Sequence, residues 1–181
     1  YGRNDTYGEN NIEKGLADMI KFTIKFCMKH NMKLIFAWKR DKRASPDGYR
    51  RELSFLRANL SKKEFNYLVH NSSESKPRSF SSYIAMLQSK VVVGFWSTLL
   101  RENLATGGKI LSCNLIRTNI FDFPIQGICS IKDCTFEAFE KRLLQIYSMS
   151  KEDYFSNINK DKCYAVEFDE KVSTLEILKE K

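Results

Sequence analysis

The densest chemistry in the chain lies in five consecutive residues, Gly94-Phe95-Trp96-Ser97-Thr98, which join a run of valines to a stretch of helical period. Ser97 is a favoured residue for the position just before a helix. The residue three places on is Leu100, so no capping-box carboxylate competes for the first amide groups. Those amides, with the Ser97 and Thr98 hydroxyls, can cradle a phosphate at the positive end of the helix dipole. Glu102 follows Thr98 by four residues and shares its helical face, one turn deeper. A carboxylate there can accept two hydrogen bonds from a ribose diol. Gly94, which ends the valine run, is counted among the candidate binding residues. The plainer reading of the same residues is that Ser97 only caps and Glu102 is a solvated helix residue.

A second candidate is the cationic segment Lys39-Arg40-Asp41-Lys42-Arg43, which follows the apolar run Lys33–Trp38. Lys39 and Arg40, leaving the end of a strand, could neutralise a diphosphate. The alternative is a solvated basic loop. His70 follows another predicted strand and could reach the same crevice. His30 ends a helix, where its charge favours the dipole, and is read as structural. Neither histidine has a serine or cysteine elbow beside it, and the glycine-rich phosphate motifs are absent. Tyr83 and Met86 are read as core. The five cysteines, Cys27, Cys113, Cys129, Cys134 and Cys163, have no C-x2-C spacing and are read as reduced thiols.

These residues need a scaffold that brings strand ends together. Residues 9–30 place Leu16, Met19, Ile20, Thr23, Phe26 and Cys27 on one helical face. Residues 33–38 (KLIFAW) read as a strand buried on both faces, 49–60 as a helix, and 65–69 as a second strand. The clearest unit follows: helix 81–88, strand 91–95, helix 97–105, a Gly107-Gly108 turn and strand 109–113. A fifth strand is predicted at 127–131, with helices at 135–148, 150–158 and 172–180. The alternation predicts an α/β, Rossmann-like three-layer domain with a mostly parallel sheet of about five strands.

Length and composition agree with one such domain spanning 1–181. The 181 residues are 43% hydrophobic and 13% aromatic, which excludes a disordered tail and supports a real core. Thirty Lys and Arg against 22 Asp and Glu leave a net charge of +8, pointing to an anionic partner. The excess is confined to residues 1–110, with 20 cations against 10 acids. No transmembrane segment or export signal is visible, and the chain begins at Tyr1 rather than Met. The expected location is cytoplasmic, with peripheral attachment to the inner face of the membrane as an option.

Residues 82–114, SYIAMLQSKVVVGFWSTLLRENLATGGKILSCN, resemble the donor-binding half of GT-B glycosyltransferases. In that fold a helix bearing a tyrosine precedes a strand ending in Val-Gly. A Ser-Thr or Ser-Ser pair opens the next helix, and a Glu-containing segment leads through Gly-Lys to the following strand. The stretch is most similar to bacterial surface-polysaccharide, sialyltransferase-type and Kdo-type families. The resemblance implies one half of a GT-B fold, in which Ser97 and Thr98 bind the donor phosphate and Glu102 the ribose. The substrate would be a CMP-, UDP- or GDP-sugar, with no cofactor and no metal. It further implies a carbohydrate or lipid-linked acceptor, and an N-terminal GT-B domain of the same protein supplying the acceptor site and catalytic base. Relatives of the sialyltransferase and Kdo types carry a His-Pro pair after an earlier strand. Here that region is Trp38–Pro46, so either Lys39 or Arg40 stands in for the histidine as the phosphate partner, or the donor differs from a CMP-sugar. Two alternatives remain open: a non-hydrolysing nucleotide-sugar epimerase, and a non-catalytic basic α/β module binding nucleic acid, protein or membrane.

Overall fold

The computed structural model describes residues 9–40, 42–72, 81–116 and 118–158. Their elements run α1 (Glu9–Lys29), α2 (Pro46–Asn59), α3 (Lys62–His70), α4 (Ser81–Gln88), β1 (Val92–Gly94), α5 (Thr98–Ala105), β2 (Ile110–Asn114), β3 (Ser130–Lys132), α6 (Phe136–Ser148) and α7 (Lys151–Ser156), with a 3-10 turn at Asn119–Phe121 before β3. The described part is mixed α/β, and Rossmann-like at that coarse level.

Among the described residues the sheet has three strands, not the five expected, in the order β1-β2-β3 and parallel throughout. Gly94, Ser112 and Ser130 stand side by side across it, as do Asn114 and Lys132 on β2 and β3. All five residues of β2 are buried. Because β3 pairs only with residues 112–114, Ile110 has no strand on that side. The Tyr154 hydroxyl takes its place, donating to the Ile110 carbonyl at 2.7 Å and accepting from the Ile110 amide at 3.0 Å. Both backbone groups of a fully buried residue are thus satisfied. Burial and the adjoining Cys129 raise the Tyr154 pKa beyond its ordinary range, although the Ile110 backbone bond opposes this, so the hydroxyl keeps its proton. At the outer edge Arg142 of α6 donates to the carbonyls of Gly127, Ile128 and Ser130, covering the edge strand with a charge.

The two missing strands fail for a local reason. Residues 65–69 belong to α3, because Ser61 and Glu64 form a reciprocal capping box: Ser61 Oγ accepts from the Glu64 amide, and Glu64 Oε2 accepts from the Ser61 amide at 2.8 Å. With that neighbour helical, no strand among the described residues pairs with the KLIFAW run along its length. Only Phe36 makes a parallel bridge, to Ser72, and its amide bonds the Asn71 carbonyl at 3.0 Å. The run is packed by side chains instead. Trp38 contacts Phe36 and Tyr49 with ring centroids at 5.2 and 5.1 Å, in a core shared with Ile24, Leu56, Leu60 and Leu68.

There are accordingly two apolar clusters. One lies around the sheet, α5, α6 and α7; the other joins α1, α2 and α3. Helix α1 serves both, with Met19, Phe26 and Cys27 in the first and Ile24 in the second. Gly15 lets this helix lie on the exit of β2: a Cβ there would sit 2.6 Å from Ile116 and 3.1 Å from the Leu115 backbone. Glu140 of α6 binds Lys29 at 2.8 Å and His30 at 2.7 Å, tying α6 to the end of α1. The predicted helix at 172–180 lies outside the described residues.

Candidate functional site

Parallel sheets gather ligands beyond the carboxyl ends of their strands, where helix N-termini also point. Gly94 closes β1, and a Cβ on it would lie 3.2 Å from Leu100, so its bare backbone lets the first turn of α5 settle on the strand end. Trp96 then adopts φ 42°, a left-handed conformation that costs a non-glycine residue about 1–3 kcal/mol. It remains 68% exposed. Ser97 caps α5, its hydroxyl accepting from the Leu99 amide at 3.3 Å. The first turn carries no acidic residue, and both Ser97 and Thr98 are exposed. The cap therefore occupies one of the amides that the sequence left open for a phosphate.

Tyr83 was read as core, but it is 42% exposed on α4 and its hydroxyl is hydrogen-bonded to Glu102. That bond, with the nearby carboxylate charge, holds the Tyr83 proton and raises its pKa. Met86, one turn on, is 6% exposed and does belong to the core. Glu102 thus stands beside a phenol rather than free in solvent.

The ends of β2 and β3 carry groups that the sequence reading did not single out. Asn114, 4% exposed, donates to the Thr118 carbonyl at 2.8 Å and to Asp122 Oδ1 at 2.6 Å, while its own oxygen accepts from the Ile116 amide. Lys132 donates to Asp122 Oδ2 at 2.9 Å and to Asn119 at 3.3 Å. Burial alone would raise the Asp122 pKa. The hydrogen bonds from Lys132 and Asn114 outweigh it and keep the carboxyl below its usual range, hence ionised. Ser112, Asn114, Asp122, Gln126, Ser130 and Lys132 form the polar lining of a cavity of about 50 Å3. Only the strand ends among these residues carried any signal in sequence, since they follow buried runs. The 119–126 loop had none.

Aromatic contacts join the two halves of this edge. Phe121, from the turn after β2, packs edge-on against Phe95 at 5.6 Å and Trp96 at 4.8 Å. The loop after β1 and the loop after β2 are therefore one surface, running from the α5 N-terminus over an exposed indole to the Asp122–Lys132 pair.

The remaining candidates sit elsewhere. Lys39 and Arg40 follow no ladder strand; their amides donate to the two Glu52 oxygens at 3.1 and 3.2 Å, and their side chains are exposed. Burial raises the Glu52 pKa against the pull of those amides. His70 is the last residue of α3, not the residue after a strand, and is exposed. Among the described residues no hydrogen bond, ion pair or ring contact links Lys39, Arg40 or His70 to the start of α5. Lys39 and Arg40 belong instead to a concentrated run of positive charge, with His70 seven residues beyond it: residues 39–63 hold nine Lys and Arg against three Asp and Glu, or +6 of the chain's +8.

Lys109, the lysine of the Gly-Lys segment, is also accounted for. It is 6% exposed and donates to the carbonyls of Ile146 at 2.6 Å and Met149 at 2.8 Å, capping the C-terminus of α6. Burial, with Lys90 and Lys151 nearby, lowers its pKa. Cys27, Cys113, Cys129 and Cys134 are free thiols; burial raises Cys27 to about 11, and Cys163 lies outside the described residues. Among the described residues no three His, Cys, Asp or Glu are grouped to hold a metal ion, and no helix is long and apolar enough to cross a membrane.

Fold and site together define an α/β protein with a polar, aromatic-flanked edge at the carboxyl ends of a parallel sheet. Residues 14–181 match the model of the family described as "putative O-antigen biosynthesis protein". The chain belongs to that family. No curated protein and no solved structure matches it.

Proposed function

We propose that this protein binds a nucleotide sugar at the carboxyl edge of its sheet and is the donor half of a glycosyltransferase of O-antigen biosynthesis. The reading is carried by one observation: the Ser97-Thr98 helix start, the Tyr83–Glu102 pair and the Asp122–Lys132 pair are parts of one βαβ edge. On this reading the α5 N-terminus and the Thr98 hydroxyl take the phosphate of a CMP-, UDP- or GDP-sugar and stabilise its charge as the nucleotide departs. Glu102, oriented by Tyr83, accepts from the ribose hydroxyls. Gly94 lets the first turn of α5 settle on the strand end and so sets where that helix start meets the ligand. Lys39, Arg40 and His70 act through the positive field of their surface rather than by contact. The acceptor, a carbohydrate or a lipid-linked one, and the general base belong to a second, N-terminal α/β domain, and the basic surface suits peripheral work at an anionic membrane.

Calorimetric titration with CMP, UDP and GDP tests the reading. One nucleotide should bind, and Ser97→Ala/Thr98→Ala should weaken it by roughly 10- to 100-fold, the size of a lost hydrogen bond to a charged group. Glu102→Gln should weaken the ribonucleotide while leaving pyrophosphate unchanged. The concentration of +6 in residues 39–63 favours a second reading, a basic binding module without catalysis. It requires indifference to all three nucleotides and steeply salt-dependent binding to anionic lipid or RNA.

A further inference from the structure

The cavity between β2, β3 and the 119–126 loop has a size and a lining of its own. A water-sized group needs about 10–15 Å3, so about 50 Å3 admits roughly three to five such groups. That is too small for a sugar ring and larger than a single hydroxyl needs. Phe123 gives it an apolar wall; Ile131 also borders it, but on β3 its side chain points with Cys113 to the face opposite Ser130 and Lys132. Ser112 is 3% exposed, and no hydrogen bond within the described residues engages its hydroxyl. Asp122, held by Lys132 and Asn114, can only accept hydrogen bonds while ionised. The occupant must therefore be about four heavy atoms long, offering an N–H or O–H to a carboxylate, an acceptor to a serine hydroxyl, and an apolar end.

We propose that this cavity receives the acetamido substituent of an N-acetylated amino sugar. The amide N–H donates to Asp122, the acyl oxygen accepts from Ser112, and the methyl group lies against Phe123. A plain hydroxyl at the same sugar position leaves the apolar side uncovered and the Ser112 hydroxyl unmatched. Discrimination of that kind is worth roughly 10-fold or more. Water is the competing occupant, and it finds no partner on the Phe123 side. The inference deepens the donor-binding reading and rests on it for the nucleotide, but the cavity makes its own demand on the sugar.

Saturation-transfer NMR on the full chain tests the cavity without any nucleotide, using the methyl glycosides of N-acetylglucosamine, N-acetylgalactosamine and glucose as probes. At least one N-acetyl compound should show its strongest saturation at the acetamido methyl protons, at least about tenfold above the signal from methyl glucoside. Ser112→Thr, which adds a methyl group into the cavity, should abolish that signal. If Ser112→Thr does not fold by circular dichroism, Gln126→Phe fills the space from an exposed position and should do the same. Equal signals from glucose and N-acetyl compounds, no acetamido saturation at all, or a signal indifferent to filling the cavity each overturn the proposal. Titration with free nucleotides reads the donor hypothesis separately. Nucleotide binding without acetamido preference overturns the cavity alone, whereas acetamido preference without nucleotide binding overturns the donor reading alone.

Discussion

Two apolar runs of similar composition, KLIFAW at 33–38 and KVVVGF at 90–95, have different fates in this protein. The second contains β1, paired through Val92, Val93 and Gly94 with a fully buried β2. The first makes one bridge, at Phe36, and is otherwise held by rings and aliphatic side chains. Apolar content directs both runs inward. Among the described residues only the second has a neighbouring strand along its length, because Gly107-Gly108 turns the chain and returns β2 alongside it. Gly107 adopts φ 76°, and a Cβ on Gly108 would collide with Asn103, so two glycines close the βαβ unit. The neighbour of the first run is instead captured by a helix cap.

The largest expected effect tests the sheet half. Tyr154→Phe removes the one group serving both Ile110 backbone atoms and should destabilise the protein by about 2–4 kcal/mol, read by urea unfolding. A loss below half a kcal/mol would mean that the β2 edge finds other partners. In the helical half, Ser61→Ala breaks the capping box that takes 65–69 away from the sheet, with an expected cost of about 1 kcal/mol. Because Leu68 is fully buried in the three-helix core, α3 should survive. A gain of strand signal in circular dichroism would show the cap alone decides the segment's state. The smallest effect is in pH. The Asp122 pKa is depressed in the folded protein, so its stabilising contribution is present above the unfolded carboxyl value of about 3.9 and is lost as pH falls through the lower folded value. The thermal midpoint should drop between about pH 4 and pH 2, and Asp122→Asn should flatten part of that drop, leaving the share of Glu137 and Glu140.

Legibility in the sequence followed the same division. Helices α1, α2, α4, α5, α6 and α7 were readable from apolar spacing, as were β1 and β2. The strand predicted at 127–131 is found at 130–132, displaced because Gly127, at φ 107°, makes an antiparallel bridge with Ile158 instead. Residues 65–69 alternate well enough to pass for a strand, yet Ser61-x-x-Glu64 was a helix-start signal three residues ahead of them. Of the candidate site, Gly94, Ser97 and Thr98 are singled out by strand-end position and Glu102 by its helical spacing from Thr98. Tyr83 was placed in the core because its helical spacing fits a buried face. Asp122, Lys132 and Ser112 were not found, since none belongs to a motif and their meeting depends on a loop of irregular backbone.

The amino-acid order alone determined the class of fold, the βαβ unit from β1 to β2 and the hydroxyl pair at the start of α5. These depend on hydrophobic period, glycine turns and a helix cap, all properties of neighbouring residues. Tertiary structure decided how many strands pair, where Lys39, Arg40 and His70 lie, and that Tyr83 meets Glu102. It alone assembled the Asn114–Asp122–Lys132 network and its cavity. Strand pairing and side-chain meetings depend on distant segments arriving with free hydrogen-bonding groups, and no local pattern records whether they do.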